Sequence, residues 1–170
     1  MEYQASLKGI LEMLKSWEVI DDFIYHNAST TEEFSKVAGR WASEYDDYRV
    51  AYFASHGDSG RIWLDDDVSV SLEQLSELLA GDCHGRLIHL GGCSTLATGR
   101  KSIEAFLKST NARAVCGYTE DVDTIDAAAL EMVLISELAN KTRIGDGLNA
   151  FCKHPVFKSL GGRLGFEIWE

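Results

Sequence analysis

The stretch YRVAYFAS, residues 48–55, shows little of the alternation between apolar and polar residues that marks a strand with one wet face. A strand of this kind is stable where helices cover both sides of its sheet. The rest of the chain is patterned to supply them. Further runs read as strands at DFIYHNA (22–28), RIWL (61–64), RLIHLGG (86–92), ARAVCGYT (112–119) and RLGFEIW (163–169). Leu7, Ile10, Leu11 and Leu14 follow the i, i+3, i+4, i+7 spacing of a helix face. Thr30–Glu33 and Ser71–Gln74 have the form of capping boxes. Phe34, Val37, Ala38 and Trp41 repeat the helical spacing behind the first, and Leu72, Leu75, Leu78 and Leu79 behind the second. Helices are also expected near 99–109, over 124–140, and near 145–153. The last should stop before Pro155, the only proline.

Gly57, Asp58 and Gly60 supply turn chemistry, so GDSGRIWLDDDVSV reads as a hairpin excursion. Strands alternating with helices predict an α/β fold. The expectation is one domain over residues 1–170, with a mostly parallel central sheet, helices on both faces in three layers, and a small hairpin after His56.

Ligands of such folds bind beyond the C-terminal ends of the strands. Two turns fall at such ends. VAYFASHGDSG carries His56 and LIHLGGCSTLAT carries Cys93. A cysteine nucleophile acts as thiolate and is helped by a nearby imidazole. Adjacent parallel strands joined by one crossover would bring the two residues together. Gly57 has no Cβ, so a substrate backbone can approach, and its N–H together with that of Cys93 forms a candidate oxyanion hole. Gly91 and Gly92 allow a sharp turn that exposes the sulfur.

Hydrophobic strand, His-Gly, then a second hydrophobic strand ending in small residues and Cys: this order resembles the caspase-like cysteine peptidases. They include caspases, metacaspases, clostripain and CHAT-domain proteases. AYFASHGD is similar to their histidine motif and LIHLGGCST to their cysteine motif, 93 − 56 = 37 residues apart. The resemblance covers roughly residues 20–140, with motif-level matching around His56 and Cys93 only. It implies peptide-bond hydrolysis by a Cys–His dyad, without metal or cofactor, on a protein or peptide substrate. In several of these families the residue two before the cysteine is Asp, Glu or Gln and lines the pocket for the residue preceding the cut. Here it is Gly91, which leaves that position empty. The strand after the catalytic cysteine also contributes to the caspase pocket. The matching segment, CGYTEDVD, offers Tyr118, Glu120, Asp121 and Asp123 as substrate-binding candidates, the carboxylates for a basic side chain. Against this, Asp123 is placed to cap the helix starting near 124, with the other two as solvated loop charges.

The formal net charge of −11 argues against nucleic acid, whose binding rests on Lys and Arg. It fits either a cationic partner or simply a soluble acidic surface. No apolar run approaches the roughly 20 residues needed to span a bilayer, and the N-terminal segment lacks the pattern of a signal peptide, so a cytoplasmic location is expected. Cys83, Cys93, Cys116 and Cys152 include no C-x-x-C pair and are expected as free thiols, with no metal site. Cys116 and Cys152 are most simply packing residues, and His89 lies within a strand rather than at its end. A phosphatase loop needs Cys-x5-Arg, but Gly99 holds that place and Arg100 follows. A non-enzymatic alternative keeps the same fold as a protein-binding scaffold.

Overall fold

The computed structural model describes the backbone of residues 2–170 and the side chains from Leu7 onward. The apolar runs at 50–53, 87–90 and 114–118 form β1 (Val50–Phe53), β5 (Leu87–Leu90) and β6 (Ala114–Tyr118). They are joined by β7 (Phe166–Trp169) in a four-stranded sheet of order β1-β5-β6-β7. β1, β5 and β6 run parallel, and β7 is antiparallel to β6. Between β1 and β5 the chain makes a second, antiparallel sheet from β2 (His56–Asp58), β3 (Arg61–Asp65) and β4 (Val68–Ser71).

Strand pleating divides the core. Ile88, Leu90 and Val115 face one way and pack with α2 (Thr31–Glu44), α3 (Leu72–Leu78) and α4 (Arg100–Thr110). Leu87, Ala114, Cys116 and Tyr118 face the other way. They pack with α5 (Thr124–Ala139), α6 (Ile144–Lys153) and α7 (Pro155–Leu160). α1 (Glu2–Ser16) lies against α5, with Leu7 and Leu14 buried. The result is an α/β fold with a mixed, mostly parallel sheet flanked by helices on both faces. No helix among the described residues is long and apolar enough to cross a membrane.

Local chemistry fixes where the helices begin. Thr30 caps α2 by accepting the Glu33 N–H at 3.2 Å, while the Glu33 carboxylate accepts from Ser29 rather than Thr30. Ser71 and Gln74 complete both halves of their capping box on α3. One expectation needs correction. DFIYHNA at 22–28 is not a strand: the segment is irregular and in neither sheet. α6 ends at Lys153, before Pro155 as expected, and a further helix begins at Pro155 itself, because proline at the first helical position loses no bond that the helix would have made.

Arg86 ties the sheet to α2. Its guanidinium is buried, donates to the carbonyls of Trp41 (2.6 Å) and Ala42 (3.2 Å), and lies over the Trp41 ring. It thereby satisfies two carbonyls of the last turn of α2. The ion pair with Asp46 is less important, since that carboxylate is 89% exposed. Arg86→Met is expected to lower stability by about 2–4 kcal/mol, because two buried charge-assisted bonds go. Asp46→Asn should stay within about 1 kcal/mol. Urea unfolding of the two variants checks the difference.

Candidate functional site

Three segments meet beyond the C-terminal ends of the parallel strands: 54–60 after β1, which includes β2, and the loops 91–99 after β5 and 119–123 after β6. The first two touch through glycine. A Cβ on Gly57 would collide with the Thr95 hydroxyl and the Cys93 carbonyl, and one on Gly92 would lie 2.8 Å from Gly57 Cα. The two backbones therefore meet at a separation no side chain permits. This contact holds His56 and Cys93, each next to one of the glycines, at one rim.

The contact is braced on both sides. Gly60 donates to the Thr95 carbonyl at 3.1 Å, and Ser59 Oγ donates to the Ala97 carbonyl. Thr95, itself buried, closes its own turn by donating Oγ1 to the Gly92 carbonyl at 3.0 Å. Ser94 adopts a left-handed backbone (φ 53°), which bends the chain sharply just after Cys93. Its N–H goes to the Glu120 carbonyl and its hydroxyl to Asp121 Oδ1, both at 3.0 Å. Among the described residues no backbone carbonyl accepts the N–H of Cys93.

His56 is exposed and Cys93 half-buried. His56 opens strand β2 and lies opposite Trp63 on β3, so the imidazole and the half-buried indole share a face of the small sheet. Among the described residues, no hydrogen bond joins His56 to Cys93.

The pocket candidates divide. Glu120 and Asp121 are exposed beside the Cys93 turn. Asp123 is the N-cap of α5 and accepts from Ile125 and Asp126, so its carboxylate is engaged away from the turn. Tyr118 requires a correction. It is fully buried, donating its hydroxyl to Glu131 at 3.0 Å, because β6 turns 114, 116 and 118 to the same inner face. It offers nothing to a substrate. Gly91 requires another: its side-chain position is not empty but filled by the Tyr52 ring, whose hydroxyl oxygen would lie 2.8 Å from a Cβ there.

The chain also contains a polar cluster that sequence reasoning missed. His89 Nε2 lies 3.2 Å from Glu131 Oε1, and its Nδ1 lies 3.3 Å from both the sulfur and the carbonyl oxygen of Cys116. Tyr52 stacks on the other side of the imidazole at 4.5 Å between centroids. Burial opposes a charge on His89, but Cys116 and Glu131 outweigh it and raise the imidazole to about 10. The thiol and carboxylate sit on opposite edges of the ring and do not converge. Among the described residues no group of three or more His, Cys, Asp or Glu is placed to hold a metal ion. Cys152, expected to pack, is exposed. The signal for the cluster was Glu131 itself, a carboxylate on the Leu130, Leu134, Leu138 side of α5.

Two outcomes follow from this geometry. Gly57→Ala is expected to cost about 1–3 kcal/mol by overpacking, measured by thermal unfolding. Its new methyl must push the His56 and Cys93 turns apart. Glu131→Gln is expected to cost about 3–5 kcal/mol at neutral pH, since it leaves half of a buried pair. His89 is raised in the folded state above its usual 6.5, so the stability it contributes is complete below about pH 6.5 and is lost as pH rises through about 10. Urea unfolding of wild type at pH 7 and pH 9 should show that fall, and Glu131→Gln should lessen it, with Cys116 still beside the imidazole.

No curated protein matches the chain. The model of a family of unknown function, DUF6642, matches residues 1–166, and the protein belongs to that family.

Proposed function

We propose that the chain is a cysteine endopeptidase of caspase-like type, with Cys93 as nucleophile and His56 as its acid and base. The observation that supports this reading most is the contact of Gly57 with Gly92, which brings a histidine turn and a cysteine turn together beyond adjacent parallel strands. The three-layer arrangement is compatible with the resemblance. Four free thiols are compatible with a cytosolic setting, where cysteines stay reduced.

In this mechanism the Cys93 sulfur attacks the scissile carbonyl carbon. The resulting oxyanion accepts from the N–H of Cys93 and of Gly57. His56, carrying the thiol proton, gives it to the departing amine as the C–N bond breaks. Water then attacks the thioester, His56 takes its proton, and the carboxylic acid leaves with Cys93 restored. A basic residue before the cut is the proposed preference. With Asp123 on its helix cap and Asp121 holding Ser94, Glu120 is the carboxylate left to receive it.

A second reading, a catalytically silent scaffold that binds protein, is favoured by one observation: among the described residues no hydrogen bond joins His56 to Cys93. Incubation with a diverse peptide library, with products mapped by mass spectrometry, separates the two. The peptidase reading expects cleavage that Cys93→Ala abolishes and His56→Ala slows about 10²-fold or more. Full cleavage by Cys93→Ala overturns it, and no cleavage by wild type supports the scaffold. For peptides differing only as Lys or Gln before the cut, one charge-assisted contact gives Lys a roughly 10- to 100-fold advantage. Equal rates would remove the acidic pocket and leave the dyad.

A further inference from the structure

A large cavity lies along the outer edge of β1. It is a groove of about 720 Å³, open to solvent, between that strand, the irregular segment 18–28, and helices α2 and α5. This is the size of a ligand site, typically about 300–1,000 Å³. Its lining follows β1 from Arg49 to Ser55, stopping one residue before His56. Phe23, Ile24, Phe34 and Phe53 give it apolar walls, and Ile24 is 41% exposed.

Two properties select an occupant. β1 is an edge strand of the main sheet, with no strand among the described residues paired on its outer side. The carbonyls of Arg49 and Phe53 accept from Leu87 and Gly91 on the β5 side. Alternation therefore turns the backbone of Val50, between them, toward the cavity. Natural proteins blunt open edges with charge, proline or bulges, whereas the sequence here is Val-Ala-Tyr-Phe. The second property is charge. Glu18, Asp21 and Asp47 line the cavity, are exposed, and make no ion pair among the described residues. Asp22 is paired with Lys15. Arg49, the one Lys or Arg among the described lining residues, is tied to the carbonyls of Thr142 and Leu138.

We propose that this groove docks an extended, basic polypeptide segment of a partner protein, which adds to the open edge of β1 as a further strand. The backbone edge supplies the hydrogen bonds, the apolar walls take alternate side chains, and the acidic rim selects lysine or arginine between them. The proposal needs no chemistry at Cys93.

The test uses the full chain carrying Cys93→Ala, so that a bound peptide stays intact and failure here is separable from failure of the peptidase reading. Fluorescein-labelled Lys-Val, Glu-Val and alternately N-methylated Lys-Val octapeptides are titrated by fluorescence anisotropy. Saturable binding is expected for Lys-Val, with at least a tenfold loss on N-methylation, which removes backbone N–H donors, and a similar loss for Glu-Val, about the value of one charge-assisted bond. Asp21→Lys with Asp47→Lys should reverse the charge preference. Val50→Pro should weaken Lys-Val about tenfold while keeping the bonds to β5, since it removes an outward N–H only. Should that variant not fold, hydrogen exchange on the Cys93→Ala chain reads the same contact, with the Val50 amide gaining protection when Lys-Val is bound. Equal binding of Lys-Val and Glu-Val, indifference to N-methylation, or no binding at millimolar peptide would overturn the proposal.

Discussion

His89 and Glu131 face each other at 3.2 Å, each about 2% exposed at the side chain, inside an otherwise apolar layer. A charge held there is stable only while its partner stays in place, because an isolated buried ion is far more costly than an isolated buried methyl. This pair therefore constrains the elements that carry it. β5 contributes the imidazole, α5 the carboxylate, and β6 adds Cys116 and Tyr118. Tyr52 on β1 stacks on the same imidazole and fills the space beside Gly91. One cluster thus fixes three neighbouring strands and a helix, and two of those strands lead into the His56 and Cys93 turns.

From that frame the two turns follow by close approach. The backbone of Gly57 lies on Gly92, and the small sheet is pinned to the loop after Cys93 through Ser59 and Gly60. On the far side, Ser94 is tied to Glu120 and Asp121. The Cys93 loop is held on two sides by hydrogen bonds. Its sulfur sits on a braced turn rather than on a mobile segment, the condition under which a neighbouring imidazole has a defined place to act.

Much of this was legible where the cause is local. The capping residues Thr30, Ser71 and Asp123 marked three helix starts, because a side-chain oxygen meeting a nearby N–H depends on spacing alone. The apolar runs at β1, β5 and β6 identified the sheet for the same reason. DFIYHNA carried the same composition without becoming a strand, since pairing is decided by a neighbour that a local pattern does not contain. The burial of Tyr118 was readable in part, because period two places it with Ala114 and Cys116. The cluster around His89 was not, because residues 89, 116 and 131 are brought together by three different elements. Tyr52 beside Gly91 was hidden likewise: a missing side chain signals close approach and does not say by what.

The proposed peptidase chemistry requires His56 to act on Cys93 across the glycine contact. The rate of Cys93 alkylation by iodoacetamide, followed by site-resolved mass spectrometry from about pH 5 to 9, tests it most directly. Cys152 serves as internal reference, being exposed, with its thiol pushed up by partial burial and by the charge of Glu170. Wild-type Cys93 should react about tenfold or more faster near pH 6–7 than Cys93 in His56→Ala, with Cys152 unchanged between them. Identical Cys93 rates in the two proteins at every pH would contradict the account.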